Sequence, residues 1–161
     1  MGNYFMDGFY TVDELTPRIS LGYLLRRINK LSTSRVEAAF DGNDISFTQW
    51  VVLALVASGT ANTCRDLSRD MDHNSGAMTR VIDQLEERGL LVRQRDAEDR
   101  RVSKLVVTDL GKDTFAQLAR SVVGAWNEVL EGFERGEVLQ LIATLNKLLV
   151  RFEELENREG Q

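Results

Sequence analysis

Three residue types are almost absent from this 161-residue chain, which has one cysteine, one histidine and one proline. A single cysteine excludes an internal disulfide framework. One histidine and one cysteine are too few for the usual transition-metal sites, so no metal is expected. The one proline, Pro17, suits the first turn of a helix and does not interrupt one. With 43% hydrophobic residues, the chain can bury the core of one domain.

Long hydrophobic runs are also absent, since no segment approaches the roughly 20 apolar residues of a membrane span. Residues 1–10 have neither the basic stretch nor the apolar run of a signal peptide. The expected class is a cytoplasmic globular protein. No enzyme is expected, because the chain has no P-loop, no G-x-G-x-x-G after a strand and no glycine-flanked nucleophile with His and Asp partners.

The negative charge is unevenly distributed along the chain. The formal net charge is −5, which by itself disfavours a nucleic-acid partner. Residues 109–161 hold ten acidic against six basic side chains, whereas residues 65–108 hold nine of each. Within residues 88–104 the balance is positive, six basic against three acidic. The local field there favours phosphate, and we expect DNA binding of moderate affinity and clear salt dependence.

Two short helices with a polar break between them are predicted in the middle of the chain. Thr63 can cap the first helix, with Asp66 three positions later as in a capping box. Residues 72–73 form the break. Asn74 or Ser75 can then cap the second helix. The pattern predicts a helix-turn-helix.

The second of these helices has two chemically different faces. Its apolar residues recur at helical spacing and predict a buried stripe of Met78, Val81, Ile82 and Leu85. Its other face begins with small and polar residues that allow base edges and phosphates to approach closely, namely Ser75, Gly76, Thr79 and Arg80. Gly89 is suited to end the helix.

A β-hairpin is predicted directly after this helix. Residues 90–92 open one strand, and the returning strand, residues 103–107, places Leu105 and Val107 on one face. The loop between the strands is too polar to be buried. We call the hairpin, residues 90–107, the wing.

The end of the wing resembles the D-x-R-x-x-x-x-x-L-T signature of MarR-type winged-helix transcriptional regulators. Asp99, Arg101 and Thr108 match it, and Val107 replaces the usual leucine with another apolar strand residue. The matching order extends through further residues on both sides, namely Leu67, Thr79, Arg80, Asp83, Leu85, Glu86, Gly89, Leu90 and Gly111. The resemblance is strong over the central third, and the flanking helices fit by pattern.

The resemblance implies a mainly α fold with a small β-hairpin wing, that is, an α+β winged helix-turn-helix with an α-helical dimerisation region. One domain is expected over residues 1–161. The DNA-binding region is expected at about residues 45–108, and the dimerisation helices at about residues 17–41 and 109–157. The chain is expected to be a homodimeric, ligand-responsive repressor that binds an inverted-repeat operator on double-stranded DNA. The predicted DNA-binding residues are Asn74, Ser75, Gly76, Thr79, Arg80, Arg95, Asp99, Arg100 and Arg101.

The resemblance assigns different roles to the residues of the wing tip. Arg101 is expected to enter the minor groove, with Asp99 orienting its side chain through a charge-assisted hydrogen bond. Arg95 and Arg100 are expected to contact phosphate rather than bases.

The flanking segments predict long helices. The first is expected from about Pro17 to Phe40, and the second from Phe47 to Ala57. After Thr108 a helix is expected whose stripe is Leu118, Val122, Trp126, Val129 and Phe133, weakened near Gly132 and Gly136. The last helix keeps a near-heptad apolar spacing that one small domain can hardly bury alone, which predicts dimerisation.

A small-molecule site is implied by the family and not by a sequence motif. It is expected between the dimerisation helices and the DNA-binding region, and to take a small aromatic acid or its thioester; no other cofactor is expected. Candidates that combine aromatic walls with cationic anchors are Tyr23, Arg26, Arg27, Trp50 and His73. The alternative is that Tyr23 and Trp50 are core residues, Arg26 and Arg27 are surface or dimer-interface charges, and His73 is a turn residue.

Three alternatives stay open. Cys64, near the start of a short helix beside Arg65, could make the protein a redox-responsive regulator. The winged helix could also be a protein-interaction module that binds no DNA. An aromatic arm, with Tyr4, Phe5, Phe9 and Tyr10, could pack over the partner subunit or over the pocket mouth, or form a disordered tail.

Overall fold

The computed structural model of the chain describes residues 9–13, 15–40, 42–95 and 103–159. The chain divides into two compact units, Met1–Val122 and Val123–Gln161. Within the described residues it forms six helices and one antiparallel hairpin: α1 (Leu21–Ala38), α2 (Phe47–Ala57), α3 (Cys64–Asp70), α4 (Ser75–Glu87), β1 (Leu91–Arg95), β2 (Ser103–Val107), α5 (Asp109–Val129) and α6 (Arg135–Glu159). This confirms the predicted winged helix-turn-helix fold class.

Helix α1 begins later than predicted. The expected start was Pro17, but the backbone N–H groups of Ile19 and Ser20 both donate to the carbonyl of Thr16, which closes a separate turn there. Ser20 then caps the helix, and its hydroxyl accepts from the N–H of Tyr23 at 3.4 Å. Two start signals compete in this stretch, and the side-chain cap at Ser20 is the one that the chain uses.

Helix α2 has the predicted bounds and lies at the centre of the first unit. Ser46 caps it through a complete capping box with Gln49. Val52 and Leu53 are fully buried. The helix packs against α1, α4 and β2, so an element apolar on nearly every side is covered on several sides.

Helices α3 and α4 form the helix-turn-helix. Thr63 caps α3 and Asn74 caps α4, as predicted. Asp72, in the turn, has a positive φ of 49°, a conformation that Asp tolerates better than most residues. Four side chains of the two helices are fully buried, Leu67 of α3 and Met78, Ile82 and Leu85 of α4. Three members of the stripe predicted for α4 are thus buried, whereas the fourth, Val81, is only partly buried.

The two strands of the wing pair in antiparallel register, with Leu91 opposite Val107 and Arg93 opposite Leu105. Leu91, Leu105 and Val107 are buried, whereas Val92 lies on the outer face. The N–H of Leu105 also donates to the carbonyl of Asn62 at 2.7 Å, which attaches the segment before α3 to the hairpin edge. The base of the wing is thus fastened to the core.

A tight junction leads from β2 into α5. The hydroxyl of Thr108 donates to the carbonyl of Gly89 at 2.6 Å and accepts from the N–H of Gly111 at 3.0 Å. It thereby occupies one of the free N–H groups of the first helical turn. The turn after α4 and the start of α5 are held at one point.

The second unit contains the end of α5 and all of α6. Phe133, expected on the α5 stripe, lies beyond the helix because the chain turns at Gly132, whose φ is +87°. Gly136 lies inside the first turn of α6. Many large apolar side chains of α6 are exposed in the single chain, among them Leu139, Leu141, Ile142, Leu145, Leu149, Phe152 and Leu155. No described helix is both long and apolar enough to span a membrane.

Candidate nucleic-acid interface

The N-terminus of α4 is built by a side-chain cap and a short turn. The Oδ1 of Asn74 accepts from the N–H of Ala77 at 2.8 Å. In the preceding turn, His73 Nδ1 lies 2.6 Å from the carbonyl oxygen of Met71. Asn74 and His73 are both exposed. The first turn of α4 therefore opens on solvent with its backbone held in helical geometry.

The exposed side of α4 carries the residues predicted to contact bases. Ser75, Gly76, Thr79 and Arg80 are all exposed. The hydroxyl of Thr79 already donates to the carbonyl of Ser75 at 2.8 Å, so Thr79 can offer a partner only its oxygen lone pairs and its methyl group. Arg80 makes no hydrogen bond or ion pair with any other described residue, and its five N–H donors are available.

Two contacts fix the position of α4 besides its apolar stripe. Gln49, a buried polar residue of α2, donates through Nε2 to Gln84 Oε1 at 3.0 Å. On the α3 side, Cys64 Sγ lies 3.6 Å from Thr79 Oγ1. Cys64 is the first residue of α3 and is partly buried. Neither contact was anticipated from the sequence, because residues 35 and 15 positions apart meet only in the folded chain.

The wing contributes a smaller positive charge than its composition suggests. Arg95 ends β1 and is exposed. Arg93 instead forms ion pairs with Asp83 and Glu86 of α4, and Arg88 donates to the carbonyl of Asp44. The positive charge of Arg93 is therefore balanced by α4, although it contributes to the positive balance of residues 88–104. The predicted tip residues Asp99, Arg100 and Arg101 lie outside the described residues.

The predicted ligand residues do not form one cluster by hydrogen bonds, ion pairs or ring contacts in the described part of the chain. Tyr23, Arg26 and Arg27 are exposed on α1, and His73 is exposed in the turn before α4. Trp50, on α2, belongs to a separate aromatic group.

Trp50 lies between two aromatic rings in the first unit. Its ring stacks on Phe47 at 6.0 Å and on Phe115 at 5.6 Å between centroids, and Phe40 approaches at 6.2 Å. Its Nε1 is buried and has no hydrogen-bond partner among the described residues. A buried indole N–H without an acceptor is uncommon in a folded protein. Among the described residues, Trp50 is therefore the ligand candidate whose unpartnered polar atom is buried.

The described end of the aromatic arm contacts its own chain. The hydroxyl of Tyr10 donates to the carbonyl of Ile19 at 2.8 Å and accepts from the N–H of Leu21 at 2.9 Å. The ring of Phe9 packs edge-on against Tyr10, with 5.0 Å between centroids. Tyr10 thus supports the start of α1, while Tyr4 and Phe5 lie outside the described residues.

Comparison with known proteins agrees with this geometry. Residues 45–103 match the family model of the MarR family. A MarR-family transcriptional regulator from Rhodococcus sp. RHA1 is 26% identical over 79% of this chain and 90% of its own, with a TM-score of 0.72. CouR from Rhodococcus jostii RHA1, solved with p-coumaroyl-CoA, is 25% identical over 83% and 94% of the two chains, with a TM-score of 0.73. The repressor CouR on a 23-mer DNA duplex is 24% identical over 81% and 92%, with a TM-score of 0.72.

Proposed function

We propose that the protein binds DNA sequence-specifically as a homodimeric repressor, because residues 45–103 match the MarR family model and a MarR-family transcriptional regulator is 26% identical to this chain. The observation that carries the proposal is the exposed polar face of α4. This face begins at a capped N-terminus and displays small residues and Arg80, which has no partner among the described residues, and the wing follows α4 directly. The cytoplasmic location expected from the sequence follows from this partner and is part of the proposal.

In the proposed complex, α4 enters the major groove. Arg80 is suited to a bidentate hydrogen bond with guanine, and Thr79 to contact with a thymine methyl group. Ser75 and Gly76, in the first turn, leave room for the phosphate backbone. Asn74 accepts the N–H of Ala77 and so leaves the other N–H groups of this turn to the phosphate.

The wing is proposed to reach the adjacent minor groove. Arg101, oriented by Asp99, enters this groove, while Arg95 and Arg100 contact phosphate. Such contacts make the affinity fall as salt rises. Promoter occlusion by the bound dimer then represses transcription.

Dimerisation is proposed to use the apolar side chains that each single chain leaves exposed. On α1 these include Leu24, Ile28 and Leu31, and on α6 they continue along most of the helix. Exposed apolar patches of this size usually mark an interface. Two copies related by a twofold axis would read half-sites about 10 base pairs apart.

An effector is proposed to be a small aromatic acid or its thioester. Trp50 supplies a ring and an N–H donor that has no acceptor among the described residues, and CouR has been solved with p-coumaroyl-CoA. Tyr23, Arg26, Arg27 and His73 stay candidates for the remainder of the site. An effector that binds the DNA-free form more tightly releases DNA, and linkage makes DNA weaken effector binding equally.

A second candidate, redox response through Cys64, rests on one contact. Cys64 Sγ is 3.6 Å from Thr79 on the DNA-binding face of α4, so an added oxygen on sulfur would press on that helix. Peroxide should then release DNA from the wild type and not from Cys64→Ser. Equal release from both proteins contradicts this candidate.

The experiment that tests the main proposal is footprinting on the DNA beside the protein's own gene, followed by selection from random-sequence DNA. A protected inverted repeat is expected. Arg101→Ala should weaken specific binding by at least about 1 kcal/mol with the dimer intact, and Arg80→Ala should relax base preference at one position of each half-site. A folded dimer that selects no DNA sequence would contradict the proposal. It would favour the alternative, a protein-interaction module that binds no DNA.

A further inference from the structure

Arg93 connects the wing to the recognition helix α4. It is the third residue of β1, and its Nη2 donates to Asp83 Oδ1 at 2.6 Å. Its Nη1 donates to Glu86 Oε2, and its backbone N–H donates to Glu86 Oε1 at 3.1 Å. One strand residue is thus joined to α4 by hydrogen bonds from both its side chain and its backbone. We call Arg93, Asp83 and Glu86 the clamp.

Within the clamp, two carboxylates neutralise the positive charge of Arg93. Asp83 and Glu86 are three residues apart and lie on the same side of α4, and the planar guanidinium matches both carboxylates. The hydrogen bond with Asp83 is the main cause that raises the pKa of Arg93 above its usual value, with partial burial opposing it. A guanidinium shared by two carboxylates has no charge left to offer a phosphate.

The clamp is not needed to hold the core together. Its side chains keep 33%, 47% and 35% of their surface exposed, for Arg93, Asp83 and Glu86 respectively. Ion pairs this exposed contribute little to the stability of a fold. The base of the wing is already fastened by the buried side chains of Leu91, Leu105 and Val107.

The position of the clamp along the hairpin indicates what it does. After Arg93, both Gln94 and Arg95 are exposed, and neither forms a hydrogen bond or ion pair with α4. Arg93 is therefore the last residue of the described part of β1 that is tied to that helix by such bonds. Beyond it, Gln94 and Arg95 complete β1.

We propose that Arg93 is a positioning residue for DNA recognition: it contacts no DNA, and its clamp with Asp83 and Glu86 fixes the wing at the angle to α4 that both need to meet adjacent grooves. This inference rests on the proposed function, since only a DNA complex requires the two elements to be placed together. Arg93 is then not one of the basic residues that contact phosphate, and it affects the sequence specificity of DNA binding only through the position of the wing.

The test uses a change in which positioning and simple electrostatics predict opposite signs. The double variant Asp83→Asn, Glu86→Gln removes two negative charges beside the DNA and releases the guanidinium. If the clamp matters only through charge, DNA binding tightens. If it positions the wing, binding to the selected operator weakens, by about tenfold or more. Unchanged or tighter binding would overturn the proposal.

Glu87→Gln is the matched control. Glu87 is exposed on the same helix and has no hydrogen bond or ion pair with another described residue, so its neutralisation should leave binding unchanged or slightly tighter. Circular dichroism and thermal melting check that the double variant is folded. If it is not, the single variant Glu86→Gln, which keeps the Arg93–Asp83 pair, carries the test with an expected loss of about threefold.

A double-mutant cycle distinguishes positioning from direct contact. When Arg93→Gln is combined with Arg101→Ala, the loss should be close to that of the more severe single variant, because a misplaced wing no longer uses Arg101. Additive losses would show that Arg93 acts independently of the wing tip, and would overturn the proposal.

The failure of this inference differs from the failure of the proposed function. If the wild type selects no DNA, the DNA-binding function fails and the positioning role fails with it. If the wild type binds and the clamp variants bind as well or better, only the positioning role fails. A DNA-free measurement supports the first step: amide hydrogen exchange in β1 should become faster in Asp83→Asn, Glu86→Gln, and unchanged exchange would contradict the clamp.

Discussion

Gly111, in the first turn of α5, lies where the backbone of another segment comes very close. A Cβ atom built on it would lie 2.1 Å from the carbonyl oxygen of Leu90 and 2.7 Å from Val107 Cγ1. The close neighbour at Leu90 is backbone, which cannot rotate away as a flexible side chain can. This single residue therefore permits the junction between wing and α5.

We expect Gly111→Ala to lower the free energy of unfolding by at least about 2 kcal/mol, because overpacking forces the backbone to shift. Chemical denaturation measures it. Gly124→Ala is the matched control in the same helix, since a Cβ there meets nothing within 4 Å. The control should be neutral or up to about 1 kcal/mol more stable, as Ala favours a helix over Gly. Equal effects of both changes would refute the close approach.

Asn74 combines a structural role with a predicted DNA contact. Its Oδ1 accepts from the N–H of Ala77 at the start of α4. Asn74→Ala should cost about 1 kcal/mol of stability through the lost cap, whereas Asn74→Ser keeps a capping oxygen and should cost much less. Thermal unfolding of both variants checks this. A Ser variant as unstable as the Ala variant would argue against the cap.

At the scale of elements, α4 is attached to α2 by a partly buried hydrogen bond between side chains. Gln49 is 8% exposed, accepts from the N–H of Ser46 through Oε1 and donates through Nε2 to Gln84. Its two polar ends thus serve two elements at once. Apolar packing alone would let α4 slide on α2, whereas this hydrogen bond defines one position.

Gln49→Met keeps the length of the side chain and removes both hydrogen bonds. It should lower the free energy of unfolding by about 1 to 3 kcal/mol, because the N–H of Ser46 loses its partner in a partly buried site. Gln94→Met, the same exchange at an exposed position of β1, should stay within about 0.5 kcal/mol of the wild type. If Gln49→Met leaves the free energy of unfolding unchanged, this contact contributes nothing to stability.

At the scale of the whole molecule, the exposed apolar side chains of α6 determine the expected assembly. Leu145 is 39% and Leu149 56% exposed, and both follow the near-heptad spacing. Leu145→Glu should shift the protein to monomer in sedimentation and abolish operator binding, because two DNA-binding regions must act together. Asn146→Glu adds the same charge at the neighbouring polar position and should keep the dimer. A monomeric wild type would contradict the assembly itself.

Local signals allowed much of the fold to be predicted. The caps at Thr63 and Asn74 and the stop at Gly89, whose φ is +69°, were recognisable because each satisfies or bends backbone within a few residues of itself. Alternating burial in β2 follows from a period of two. The start of α1 was predicted too early, because Pro17 and Ser20 both signal a helix start and the pattern does not rank them.

The candidate site was predictable only in part. The polar face of α4 was recognisable from its residues, and the roles of the DNA-contacting side chains remain predictions. The clamp at Arg93 was missed, although Asp83 and Glu86 at a spacing of three offered a weak signal. A sequence records the charge of Arg93 without its partners, and whether that charge is free or neutralised depends on which elements pack together.

By itself, the amino-acid sequence determined what depends on neighbouring residues: where most helices and strands begin and end, which of their faces are apolar, and the resemblance to a family of regulators. Only the tertiary structure decided that Arg93 is tied to α4, that Cys64 Sγ lies 3.6 Å from Thr79 Oγ1, and that the N–H of Trp50 has no acceptor among the described residues. The physical reason is the separation along the chain of the groups that interact. Helix caps and apolar periodicity act within one element, whereas ion pairs and ring contacts depend on how separate elements pack together.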